Sequence, residues 1–360
     1  PTEAVQHYTT ALTTLEKMKT TPENKQKQLK TADRIAYMYY ITGEWNMSMN
    51  HIILVGKLAK ETKNQLMLAE SYRNIGMICV IRGERDKAME NLHNALRISK
   101  EINDERGIAE TQYCIGTEYW QSGEINEAMN VLNKSLAQAL KIDDKGLISK
   151  MTMEFGYIHF LRGQYEDSSE LMKRGLNIAE SIGDKYEMAR AYHHIGDIYG
   201  YGLGDLDTAI DWYDRCIEIS EKIGFFRNLG RALCDIALCY VKKGAYPKAE
   251  KYIHEVSIIF EKIGEKRMIG WYQCVYGVLY KGKKEWEKSQ ENFEKGIDIL
   301  KKIESRVALA YALFEFGKMY KEKGDKEKAR EQFKRSIEFW EELGNKVKVE
   351  EVKKEMKELG

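Results

Sequence analysis

The sequence predicts an all-α fold: a superhelical solenoid built from antiparallel helix pairs. Three observations carry that prediction. A small residue recurs with a period of 40 at Ala36, Gly76, Gly116, Gly156, Gly196, Ala237, Gly277 and Gly317, with one slip to 41 in the fifth unit. Seven or eight places after each stands a turn residue, Gly43, Gly83, Gly123, Gly163, Gly204, Gly244, Lys284 or Gly324. Five places later comes a second small residue, at Ser48, Ala88, Ala128, Ser168, Ala209, Ala249, Ser289 and Ala329. A fixed period of this length marks a chain whose units bury their apolar faces only against their neighbours. Only three prolines, Pro1, Pro22 and Pro247, occur in 360 residues, so long helices meet few breakers.

Residues 1–25 come first. Ala4, Tyr8 and Ala11 repeat the spacing of the second helix of a unit, with no first helix before them. The segment is expected to be one helix, either a partial repeat or a cap, in a chain that is a fragment of a longer protein. Residues 26–343 hold eight units, and residues 185–223 show how each is made. Met188, Ala191, Tyr192, Ile195 and Tyr199 share one helical face, and Gly196 leaves room for a neighbouring helix. Asp205 is placed to cap a second helix, whose apolar face is Ile210, Tyr213, Cys216 and Ile217. Gly183 and Gly224 are the stops on either side. Each unit is therefore a helix A, a turn and a helix B. The stretch GYGLGD at 200–205 absorbs the one-residue insertion and has no G-K-[ST] to make it a phosphate loop. In residues 344–360, Val349, Val352, Met356 and Leu359 form a narrow stripe on a helix otherwise of Lys and Glu, as a cap with a polar outer face requires.

Tyr192-x-x-Ile195-Gly196-x-x-Tyr199 followed by Ala209-x-x-x-Tyr213 resembles the tetratricopeptide repeat (TPR). So do Tyr72-x-x-Ile75-Gly76 with Ala88-x-x-x-Leu92-x-x-Ala95, and Phe316-Gly317-x-x-Tyr320 with Ala329-x-x-x-Phe333. The likeness runs from about residue 26 to 343. Two departures, a period of 40 instead of about 34 and no proline after helix B, are similar to the long-helix variety. That variety occurs in cell-polarity adaptors, bacterial peptide-pheromone receptors and sensor regions of STAND-type regulators. The resemblance implies a right-handed superhelix whose A helices line a concave groove. It implies a non-enzymatic scaffold that binds a peptide or protein segment there and that can form a homo-oligomer. The alternative it implies is the ligand-sensing or oligomerisation arm of a larger signalling ATPase, cyclase or transcription regulator.

The groove positions are likewise taken from the family. On that basis Arg73, Asn74, Tyr113, Thr117, Trp120, Met153, Tyr157, Phe160, His193 and Asp197 are the expected ligand-binding residues. Aromatic anchors beside polar groups suit an extended segment, because the rings supply burial and the polar groups satisfy its amides.

Composition narrows the partners. Fifty-seven basic and 56 acidic side chains leave a formal charge of +1, which predicts no broad nucleic-acid or membrane-surface contact. The six cysteines sit inside apolar helical patterns and none forms C-x-x-C, so they read as small buried residues of an intracellular protein. With no signal peptide and no bilayer-length apolar run, a cytoplasmic chain is expected. No catalytic motif, cofactor or metal site is expected. His193-His194 is the nearest metal feature, but adjacent helical residues point about 100° apart.

Overall fold

Glycine or another residue in the left-handed conformation ends almost every helix of this chain. The computed structural model describes residues 2–360, and side chains from residue 4 onward; Pro1, at the head of the expected N-terminal segment, lies outside the described residues. The A helices are α2 (Pro22–Ile41), α4 (Gln65–Arg82), α6 (Glu105–Gln121), α8 (Lys145–Leu161), α10 (Lys185–Asp197), α12 (Phe226–Lys242), α14 (Lys266–Gly282) and α16 (Arg306–Lys323). The B helices are α3 (Trp45–Glu61), α5 (Arg85–Glu101), α7 (Ile125–Lys141), α9 (Tyr165–Ile182), α11 (Leu206–Ile223), α13 (Tyr246–Ile263), α15 (Trp286–Lys302) and α17 (Lys326–Glu342). Helix α1 (Thr2–Lys17) precedes them and α18 (Lys346–Lys357) follows. Each helix packs antiparallel on the next, so the fold is a helical solenoid. Among the described residues no helix is long and apolar enough to cross a membrane.

The periodic small residues are contact points. A Cβ added at Gly116 would lie 2.6 Å from Leu132 Cγ, and one at Gly317 would lie 2.5 Å from the Phe333 ring. Each such glycine receives a large side chain from the B helix of its own unit. The second set of small residues is fully buried at the same seam. Two of its three serines also tie the pair together: Ser48 Oγ donates to Ala36 O and Ser289 Oγ to Gly277 O, at 2.8 and 2.7 Å, whereas Ser168 Oγ has no partner.

The one-residue insertion is held in a π-helical turn, Ile198–Leu203, that continues α10. The extra residue is thus taken up inside the helix, before the Gly204 turn. All six cysteines are free and buried. At the C-terminus, Val349, Val352 and Leu359 are buried against the last pair while the opposite face of α18 stays charged.

The solenoid coils back onto itself. The Gly43 turn meets Ile263, Gly83 meets Ile303, Gly123 meets Arg306, and Gly163 meets Asn345 and Val347. The A–B turns of the first four units therefore rest on the B–A connections that follow units six to eight. An added Cβ would come within 2.7–2.8 Å of a neighbouring atom at all four turns, whereas Gly204, Gly244 and Gly324 have nothing within 4 Å. Lys284, the one non-glycine in the series, lies among the uncovered turns, exposed and at φ 62°.

Two outcomes test this packing. Gly116→Leu should lower stability by roughly 1–3 kcal/mol through overpacking against Leu132, read by denaturant melts. Lys284→Gly should raise stability by about 1 kcal/mol by relieving left-handed strain. A lysine at Gly83, which has the same φ sign but is covered by Ile303, should be clearly destabilising.

Candidate functional site

Eight A helices facing a common axis enclose a lumen of about 580 Å³. Nine of the ten residues expected at the binding surface line it: Arg73, Asn74, Tyr113, Thr117, Trp120, Tyr157, Phe160, His193 and Asp197. Met153 does not. It is buried between α8 and α9, where the notch left by Gly175 accepts it; a Cβ at Gly175 would lie 2.4 Å from Met153 Cγ. Trp120 and Phe160 are also largely buried and show only an edge to the lumen, whereas Tyr37, at its rim, is 51% exposed.

The aromatic wall is continuous. Tyr157 packs against Trp120, Phe160 and His194, with ring centroids 4.8, 5.7 and 4.7 Å apart. Beside it runs a chain of polar contacts. Arg190 donates to Glu154 at 2.6 Å, to Glu187 at 2.9 Å and to the Tyr113 hydroxyl at 3.2 Å. Arg73 pairs with Glu110 at 2.7 Å.

A second group comes from the N-terminal ends of α12 and α14. Arg227 donates twice to Glu265, at 2.8 and 3.0 Å, and Arg231 and Arg267 each donate to the same carboxylate at 3.3 Å. Burial alone would raise the Glu265 carboxyl, but the three guanidiniums outweigh it and hold it far below the ordinary carboxylate range. Three positive groups thus share one negative partner. Arg231 carries the imbalance: burial and the neighbouring Arg227 both oppose its charge. Arg227 and Arg267 also reach across the lumen, 5.9 Å from the Trp45 ring and 6.0 Å from the Trp120 ring.

The third group is on α10. Burial opposes protonation of His193, but Asp197 and Asp235 overcome it and raise its pKa above the usual imidazole value. Burial lowers His194 to about 4, so it is neutral. The helical-phase argument against a shared ligand does not describe what the rings do. The rings of His193 and His194 have centroids 5.2 Å apart, and one donor atom from each lies, with one from Asp197, inside a 4.8 Å set.

The TPR family model matches residues 147–222 and 272–342. Those two segments are tetratricopeptide repeats. Among solved structures, this TPR array is similar to the Rap conjugation gene regulator of the plasmid pLS20 in complex with a Phr peptide. The TM-score is 0.65 at 13% identity, over 95% of each chain. It is similar to aspartyl phosphate phosphatase F from Bacillus subtilis, with TM-score 0.59 at 15% identity over 96% of this chain and 94% of that one. It is also similar to a STAND protein with a TPR sensor from Pyrococcus horikoshii, with TM-score 0.51 at 20% identity. All of this chain matches there, but only 55% of that one. No curated protein sequence matches.

The TPR positions carried over from the family miss Arg227, Arg267 and Glu265. Arg227 and Arg267 stand ten residues before Ala237 and Gly277, and Tyr186 and Val307 occupy the same column and also line the lumen. Glu265 stands in the N-cap column, where Asn64, Asp104, Asp144 and Asp184 each cap their helices. It makes no side-chain cap bond and turns to the arginines instead.

That environment fixes the sign of a pH effect. The Glu265 pKa is depressed on folding, so its contribution is complete above the ordinary carboxylate value of 4.5 and is lost as pH falls through the folded value. Glu265→Gln should cost on the order of 3 kcal/mol at pH 7, because it strands three buried guanidiniums. It should also flatten the decline of stability with acid below pH 4.5, as measured by urea unfolding at several pH values.

Proposed function

We propose that this TPR array binds an extended peptide or protein segment along its lumen, and that the segment carries an anionic group. One observation carries the reading. Among the described residues, Arg73 Nη1, Thr117 Oγ1, Trp120 Nε1 and Arg231 Nε are buried polar atoms with no hydrogen-bond partner, and all four residues line the same lumen. A buried unpaired donor costs about 1–3 kcal/mol. Four on one wall are accounted for by a ligand whose carbonyl and carboxylate oxygens complete them. The three arginines around Glu265 would receive a carboxylate, from an acidic side chain or a free C-terminus. The peptide-bound state of the Rap regulator, a fold neighbour, supports the same choice of ligand class.

The proposal is of a scaffold and not an enzyme. Its likeness to a phosphatase carries the fold alone. A second reading, the sensing arm of a larger regulator, is supported by the match to part of a STAND protein and uses the same lumen.

An array of short peptides, with and without acidic residues, probed by fluorescence anisotropy, tests the reading. Binding should favour acidic peptides. Arg231→Gln should weaken it by about 2 kcal/mol and erase the preference. Trp120→Phe, which keeps the ring packed but removes its donor, should cost about 1 kcal/mol. Glu327→Ala, exposed on the outer face, should change nothing. Equal binding of neutral and acidic peptides, or insensitivity to Arg231→Gln, would overturn the anionic reading.

A further inference from the structure

We infer that His193, His194 and Asp197 form a binding site for one zinc-type divalent ion, open to the lumen. Position comes first. His193 Nδ1 lies 3.6 Å and His194 Nδ1 3.2 Å from Asp197 Oδ2. An ion with tetrahedral bonds of about 2.0–2.1 Å sets its ligands about 3.3 Å apart. The two separations bracket that edge length, and the third, between the two imidazole nitrogens, lies within 4.8 Å; an ion here replaces the His194 Nδ1–Asp197 Oδ2 hydrogen bond, with the His194 proton moved to its other nitrogen.

The hydrogen-bond arrangement points the same way. His193 Nε2 lies 2.8 Å from Asp235 Oδ2 and donates its proton there. In the neutral ring that leaves Nδ1 with a lone pair, buried and without a partner; any proton it carries in the charged ring is released when an ion binds. It faces Asp197 Oδ2, itself a lone-pair atom, at a distance too long for a hydrogen bond. Two acceptors aimed at one point inside a protein call for a cation at that point. A proton on Nδ1 leaves the 3.6 Å contact an ion pair without a hydrogen bond; a metal ion would bond both atoms.

The surroundings are those of a held ligand set. The atom of each of two ligands that does not face the ion is already engaged. Asp235 takes the His193 Nε2 proton and is itself fixed by the Tyr201 hydroxyl at 2.5 Å. Asp197 Oδ1 accepts from the Tyr213 hydroxyl at 2.9 Å. A carboxylate behind a ligating histidine fixes its tautomer and raises its basicity. The π-helical turn contributes Tyr201, so the one-residue insertion helps build this support. Two imidazole nitrogens and one carboxylate oxygen suit zinc and its neighbours and disfavour magnesium and calcium, which take oxygen. With three protein ligands, the fourth position is left to solvent or to a group in the lumen. Charge balances too, because Asp197 and Asp235 offset a doubly positive ion.

The inference is independent of the peptide reading and is measured on the chain alone. The chelator-treated protein is titrated with Co²⁺ and followed by visible absorption, and with Zn²⁺ by calorimetry. One equivalent should bind, with tetrahedral cobalt bands and no thiolate charge-transfer band. Asp197→Asn and His194→Ala should abolish the bands while circular dichroism stays helical. Asp235→Asn should weaken Zn²⁺ affinity about 10–100-fold. Absence of stoichiometric binding, a cysteine-type spectrum, or unchanged affinity in both His194→Ala and Asp197→Asn would overturn it. If Asp197→Asn loses helix, His194→Ala, which leaves Asp197 and Tyr213 in place, decides alone.

Discussion

The architecture depends on how closely one coil of the solenoid can sit upon the next. That approach is made at the A–B turns of the first four units, where glycine leaves no Cβ between the chain and Ile263, Ile303, Arg306 or Asn345. Two demands coincide at these turns. The backbone needs a left-handed residue to leave helix A, and the neighbour needs the space a side chain would take. In the later units only the first demand remains, and there alone lysine stands in the series. Because the coils touch, the A helices surround a space and do not merely border a groove. Their polar side chains then face one another across it.

That enclosure changes the electrostatics. On an open groove, Arg227, Arg231 and Arg267 would be hydrated and nearly independent. Inside the lumen they compete for Glu265, and the shortage of negative charge is felt at Arg231. The same enclosure sets His193 between Asp197 and Asp235 and lets their charges outweigh its burial. Beside its aromatic wall the lumen thus carries polar groups whose internal pairing is incomplete, which is where a ligand gains most by completing it.

The fold was legible in the sequence because close packing at the A–B seam admits only small residues at Gly76, Gly116 and their equivalents, once per unit. Most of the lumen wall was legible for the same reason, since helical phase relative to that glycine is constant. Met153 shows the limit. Its phase is that of Arg73, Tyr113 and His193, yet Gly175 on the partner helix opens a notch that draws it into the core. Phase fixes where a Cα sits, but the neighbouring helix decides where a flexible side chain goes. Glu265 was missed because its column reads as a helix cap, and Arg227 and Arg267 because the family's groove positions begin later in helix A, although the column ten residues before the small residue also lines the lumen. The convergence of His193 and His194 was missed because Cβ directions about 100° apart say little about two rings whose χ angles can turn them together.

The coil-to-coil contacts also govern how anything gets in. A solenoid that only borders a groove can be approached from the side along its whole length. One whose turns rest on each other admits an extended chain through its ends, or else by a springlike parting of the coils in which the Gly43, Gly83, Gly123 and Gly163 contacts separate together. For a segment of the kind proposed, entry and release would both pass through that parting of the coils. An array built this way keeps what it holds for longer than the strength of its individual contacts suggests.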